Sequence, residues 1–171
     1  MEPRFINSYT ASKQIVREFK HKMIRPLATA IPAAVLGILM IAVGLYAHEG
    51  EKILTGALLI VLGATIVIVT EWDASRTWKM MCEQANGKPI EATITFTNEK
   101  AVNESHGMEG RIELNYADIR KVKRSKNLII LVTKARLGHM LRRDSFTLGT
   151  EEEFMEFIKE RMALAALPKD K

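Results

Sequence analysis

The sequence predicts a membrane α-helical hairpin joined to an antiparallel α+β domain, and three observations carry that prediction. Two apolar runs, Leu27 to Ala47 and Ile53 to Thr70, contain no charged residue. From Ile90 onward the hydrophobic period becomes two, as in half-buried strands. Thr150 and Glu153 then form a capping-box pattern ahead of a stretch with helical period. The expected division is an N-terminal segment over 1–26, the hairpin over 27–70 and a third region over 71–171.

Residues 1–9 read as a short extended piece, with Phe5, Asn7 and Tyr9 on one face and Ile6 on the other. From Ala11 the pattern changes. Ile15, Phe19 and Met23 recur every four positions beside Val16, while Lys13, Arg17, Lys20 and His21 take other faces, which predicts a basic amphipathic helix. Pro26 breaks it, leaving a helix that either lies along the headgroups or simply extends the first span. At 1.5 Å rise per residue the first apolar run is about 31 Å long and the second about 27 Å, each enough to cross hydrocarbon. The first run starts too late and is too long for a secretory h-region.

Glycines mark the inner faces of the two spans. Gly37 and Gly44 lie thirteen and six positions before Gly50, and Gly56 and Gly63 lie six and thirteen after it. A fold at Gly50 therefore brings Gly37 level with Gly63 and Gly44 level with Gly56, with Ala30 and Thr70 extending the seven-residue rows. Small residues allow close backbone approach, which is the main source of helix association in lipid. Residues 1–26 carry six Lys or Arg against two acids, whereas the HEGEK loop carries Lys52 against Glu49 and Glu51. The positive-inside bias then places both termini in the cytoplasm and the loop outside.

Beyond the second span, Trp72 and Trp78 are aromatic residues of the membrane-interface kind, on a helix expected to reach about Ala85 and to stop at Asn86-Gly87 before Pro89. Alternation predicts strands over 90–97 and 111–116, the Leu-Ile-Ile-Leu-Val core one over 128–133, and the turn residues between them further short strands over 101–105, 119–123 and 139–143, with breaks at His106-Gly107, Gly110 and Gly138. In the strand over 111–116, Ile112, Leu114 and Tyr116 share one side. Phe154, Phe157, Ile158 and Met162 form the apolar face of a terminal helix that Pro168 closes. Consecutive antiparallel strands followed by one such helix give an α+β module with the helix covering a bent sheet.

Little in the chain points to chemistry. Cys82 is the only cysteine, so no internal disulfide forms, and its apolar neighbours predict a small buried thiol. His21, His48, His106 and His139 are scattered, without metal-ligand spacing, and no phosphate-loop, dinucleotide or nucleophile-elbow motif occurs. Neither a catalytic residue, a metal site nor a cofactor is expected. No ionisable residue interrupts either span, as an ion path would require. The net charge of +5 includes a basic run, Arg120, Lys121, Lys123, Arg124 and Lys126, to which folding adds Arg142 and Arg143. This set reads either as a solvated sheet edge or as a contact for anionic lipid headgroups or a protein partner. Nucleic acid does not fit, because aromatics are not interleaved with the cations and charge after Thr70 is nearly balanced.

The order of these parts, with the segments ATITFTNEKAVNES, IELNYADIRKVKRSKNLIILV and RRDSFTLGTEEEFMEFIKER, resembles the YcxB-like family, bacterial membrane proteins with two spans followed by a pleckstrin-homology-like domain. The resemblance implies a pleckstrin-homology-like antiparallel sheet capped by a C-terminal amphipathic helix over 71–171. It also implies a multi-pass location in the bacterial cytoplasmic membrane, and no reaction. The expected function is that of a non-enzymatic integral membrane protein presenting this domain at the inner face to a partner protein, a peptide or anionic lipid. The alternatives are an accessory subunit of a transport or envelope-stress system, and a membrane enzyme whose site has no motif.

Overall fold

In chain order the elements are β1 (Phe5–Thr10), α1 (Lys13–Ile24), α2 (Pro26–Ala47), α3 (Gly50–Gln84), β2 (Glu91–Phe96), β3 (Lys100–His106), β4 (Gly110–Asn115), a 3-10 turn (Tyr116–Asp118), β5 (Ile119–Arg124), β6 (Leu128–Thr133), β7 (Gly138–Arg142), β8 (Phe146–Leu148) and α4 (Glu151–Ala166). The computed structural model describes residues 2–106 and 110–166, with backbone alone at 106, 110 and 166; Gly107 and Pro168, invoked above as a break and a stop, lie outside them. The chain divides into two compact units, Met1–Phe19 with Trp78–Lys171, and Lys20–Thr77.

Alternation builds the first unit. A five-stranded antiparallel sheet has the order β4-β3-β2-β1-β8, and a three-stranded one the order β5-β6-β7. Register brings Phe5 opposite Phe96, and Phe96 opposite Ala101, which in turn faces Leu114. These residues share a core with Ile129, Leu131 and Leu141 of the other sheet and with Phe154 and Ile158 of α4. The Phe154 ring lies 4.7 Å from Phe96 and 5.7 Å from Phe5 between centroids, both edge-on, an arrangement that aromatic quadrupoles favour. The expected capping box closes the start of α4. The Thr150 hydroxyl accepts from the Glu153 N–H at 3.3 Å, and the Thr150 N–H donates to the Glu153 carboxylate at 3.0 Å.

The N-terminal segment is corrected by the structure: it is not a separate region. β1 lies between β2 and β8, and its Phe5, Asn7 and Tyr9 face inward as the alternation required. Asn7 is fully buried. Its Nδ2 donates to the Arg142 carbonyl at 2.7 Å and its Oδ1 accepts from the Arg142 N–H at 3.1 Å, so one side chain ties β1 to β7 of the other sheet. The Tyr9 hydroxyl repeats the link by donating to the Met140 carbonyl at 3.2 Å, and its burial pushes the phenol pKa up to about 12.

Helix α1 is corrected as well. Its apolar side is taken up within the protein at Ile15 and Val16, which are buried. The Phe19 ring sits where a side chain on Gly138 would stand, against Ile130 of β6. The Glu18 carboxylate accepts the Asn127 N–H and Nδ2–H at 2.9 and 2.8 Å. That cover explains why β6 is buried along its whole length. Trp78 also departs from an interfacial role, for it packs on Ala11, Ala85 and Ile90, whereas Trp72 is exposed and carries Arg76 over its ring. Cys82 is half-buried, Ile112 is exposed, and the short strand β8 was not anticipated.

In the second unit, α2 and α3 are long and apolar enough to cross a membrane. Arg25 at φ 56° separates α1 from α2, and His48 at φ 56° ends α2, so the reversal occupies His48 and Glu49 and α3 starts at Gly50. Large side chains such as Leu39 and Leu62 point outward, whereas Ala30, Gly37, Gly44, Gly56, Gly63 and Thr70 are buried. The level pairing is overturned. Gly37 meets Gly56 and Gly63 meets Ala30, while Gly44 faces Ile53 and Glu49, because the reversal falls before Gly50 and shifts the helices by one heptad.

Two outcomes are expected. Asn7→Ala leaves the Arg142 N–H and C=O without their buried partner and should cost about 1–3 kcal/mol, read as a lower Tm of the full chain in detergent. An unchanged Tm would mean that another contact joins the sheets. In the hairpin, a Cβ at Gly56 would stand 2.5 Å from the Gly37 carbonyl oxygen, whereas one at Gly50 meets nothing within 4 Å. Gly56→Ala should therefore lower the detergent Tm and Gly50→Ala should not; equal behaviour of the two would refute the close contact.

Candidate functional site

The seven cations singled out in the sequence fall into two groups. Among the described residues β5 is an edge strand that pairs with β6 alone, in the register Lys121 opposite Val132 through Arg124 opposite Ile129. Arg120 and Lys121 stand at one end of it and Arg124 at the other, about 10 Å further along at 3.3 Å per residue. Because Leu128 pairs with Arg142, the β5–β6 turn brings Arg124 and Lys126 to the same corner as Arg142 and Arg143.

That corner is an ion network rather than a bare basic patch. Glu151, the first residue of α4, takes both Arg124 and Arg143, the latter at 2.7 Å. Arg142 pairs with Asp144 at 2.7 Å. The Arg143 backbone N–H donates to the Asn127 carbonyl at 3.0 Å, and its guanidinium also reaches the carbonyls of Ser125 and Lys126. A shallow hollow of about 230 Å³ lies among Lys126, Asn127, Arg143, Asp144 and Glu151. Burial alone would raise Glu151, but its hydrogen bonds to Arg143 and Arg124 and their charges outweigh that and hold it below the ordinary carboxylate range. Glu18 behaves alike. Burial raises it, and the bonds from Asn127 and Ser125 with the nearby Lys126 charge prevail and lower it.

Arg120 and Lys121 differ, for they are exposed and no ion pair holds them among the described residues. Lys123, on the same strand, is half-buried and does have a partner.

Elsewhere, two hollows of about 410 and 560 Å³ flank α4 and share Asn98 and Arg161. Arg161 stacks on Phe157 and donates to Asn98 Oδ1 at 3.1 Å. Of the histidines, His21 pairs with Glu71 at 2.8 Å, His48 ends α2, and His139 is buried in β7, where desolvation lowers its pKa. The His106 side chain is outside the described residues. Among the described residues no three His, Cys, Asp or Glu side chains are grouped to hold a metal ion. The signal that sequence reading missed was the acid partners: Glu151 lies 27 residues from Arg124, and Glu18 lies 109 from Asn127.

Residues 98–158, from the turn after β2 into α4, match the family model described as YcxB-like protein. No curated protein and no solved structure matches the chain.

The lowered pKa of Glu151 sets an acid dependence. A carboxylate depressed on folding contributes its full stabilisation above the ordinary value of 4.5 and loses it as pH falls through the folded value. Glu151→Gln should lower stability near neutral pH by on the order of 1 kcal/mol, the range for solvent-screened pairs. It should also lose less Tm than the parent on acidification from about pH 6 to about pH 3.5. Parallel Tm curves for the two proteins would remove Glu151 from the account.

Proposed function

With a YcxB-like segment at residues 98–158 as the starting point, we propose that the protein is a non-enzymatic integral membrane protein of a bacterial cytoplasmic membrane, holding a pleckstrin-homology-like docking domain at its inner face. The observation that carries the reading is the place of the hairpin in the chain. The two apolar helices are spliced between β1 and β2, which are neighbours in one sheet, so two chain crossings tether the domain to the spans. Two sheets closed by a C-terminal helix support the pleckstrin-homology-like comparison. Such folds serve many ligands, so the ligand is argued from the surface and not from the fold.

Orientation follows from charge. The flank before α2 is rich in Lys and Arg, and the short reversal is not, which puts both termini on the cytoplasmic side. A fragment cut after the second span would lose β1 and with it the Asn7 tie, so ligand binding belongs to the full chain.

Single-cysteine variants in a Cys82→Ser background test the topology. Gly50→Cys should react with a membrane-impermeant maleimide on intact cells, and Glu2→Cys and Ala165→Cys only after lysis. The reverse pattern would overturn the proposal.

A further inference from the structure

β4 is the outermost strand of its sheet and pairs with β3 alone among the described residues, so one row of its main-chain N–H and C=O groups lies open to another strand. The core face does not close there. Asn7, Ile94, Asn103 and Ile112 stand opposite one another in that order across β1, β2, β3 and β4, yet Ile94 is 2 % exposed and Ile112 is 54 % exposed. An isoleucine left open on the core side of an edge strand lacks a neighbour beyond the edge.

The charges beside it specify that neighbour. Arg111 and Glu113 flank Ile112, are exposed, and project from the other face of the strand. Within the chain Arg111 comes no closer than 3.6 Å to Glu104 and 3.7 Å to Glu113, whereas Glu113 is held by Lys100 at 2.7 Å through its other oxygen. A second β4 running antiparallel, with Ile112 on a two-fold axis, sets Ile112 against Ile112 of the other copy, Arg111 against its Glu113 and Glu113 against its Arg111. The contact is isologous, so one apolar pair and two ion pairs form together. The two adjacent registers that preserve the core face do not work. Centred on Arg111 the strands oppose two arginines, centred on Glu113 they oppose two glutamates, and like charges directly opposite are destabilising. A slip of one residue turns the core face outward. Neither β8 nor β5 offers such an edge. β8 has only Phe146–Leu148, and β5 carries Arg120, Lys121, Lys123 and Arg124 with no acid, so a second β5 would meet like charge.

We infer that β4 is a self-association edge: two copies of this chain join their five-stranded sheets through antiparallel β4 strands centred on Ile112. Main-chain pairing across the axis uses the open row of each edge, the two Ile112 side chains cover one another, and the Arg111–Glu113 pairs fix the register. The inference goes beyond the docking reading and does not depend on it, since the partner is a second copy and the surface is distinct from the cationic run.

The test uses the full chain, first in isolated membranes and then in detergent. In a Cys82→Ser background, Ile112→Cys should form a disulfide between copies on mild oxidation, because directly opposite Cβ atoms of an antiparallel pair lie about 4.5–5.5 Å apart. Glu104→Cys, on β3 and on the other face, should not. In detergent, native mass spectrometry reads the association of charge variants. Arg111→Glu alone or Glu113→Arg alone opposes like charges and should weaken the dimer about tenfold or more. Mixing the two variants restores both ion pairs across the axis and should give heterodimers in excess of either homodimer. The disulfide arm leaves both charges in place, so it decides the matter however the reversed variants fold. Absence of the Ile112→Cys disulfide, equal cross-linking of Glu104→Cys, or well-folded variants whose mixture associates no better than each alone would overturn the inference.

Discussion

The Asn7 carboxamide is the constraint on which the domain depends. It presents one donor and one acceptor to the backbone of Arg142, imitating the pairing of a strand where two sheets cannot share a ladder. Burying an amide is tolerable only with both groups satisfied, so the position demands this geometry. Once β1 is held there, Phe5 enters the core against Phe154 and Phe157, which seats α4. The same ring explains Gly149: its φ of 79° and the Phe5 carbon 2.3 Å from a would-be Cβ leave room for no side chain.

Because β1 precedes the apolar helices and β2 follows them, the sheet forms only when distant parts of the chain meet. This accounts for the misreading of α1. A helix lying on a bilayer and a helix lying on a sheet need the same pattern, one apolar side and one basic side, and periodicity alone does not distinguish their partners. Val16, 2 % exposed, shows which partner took the apolar side here. The Glu18 carboxylate, bound by Asn127, pins that side to the β5–β6 turn.

Strands β2 and β4 were legible by alternation and β6 by its unbroken apolar run LIILVT, each bounded by turn residues. The capping box was legible for the same local reason. β8 was not, since three residues carry too little alternation to register, and Phe146 at its start is only half-buried. The candidate site was legible by composition and not by electrostatics. Arg124, Arg142 and Arg143 read as free cations until Glu151 and Asp144 are placed beside them, whereas the exposed Arg120, Lys121 and Lys126 are in no ion pair among the described residues.

The hairpin shows a further limit, inherent in a heptad pattern. A row of small residues every seven positions keeps its face when one helix slides by seven, so the row identifies the packed side without fixing its register. The reversal at His48 and Glu49 makes one choice, setting Gly37 against Gly56. Polar residues beyond the apolar runs make the same choice. Lys20 meets Asp73 at 2.7 Å and His21 meets Glu71 at 2.8 Å, and the residue pairs Gly37–Gly56, Ala30–Gly63 and Lys20–Asp73 are all centred between residues 46 and 47. A slip of one heptad would move those acids about 10 Å along the helix at 1.5 Å per residue. Both polar pairs would then be lost while the small-residue contacts survived. The register is therefore held at the two ends of the hairpin, by a left-handed turn at one and by the Lys20–Asp73 and His21–Glu71 polar pairs at the other, and the glycines between them set only how closely the helices approach.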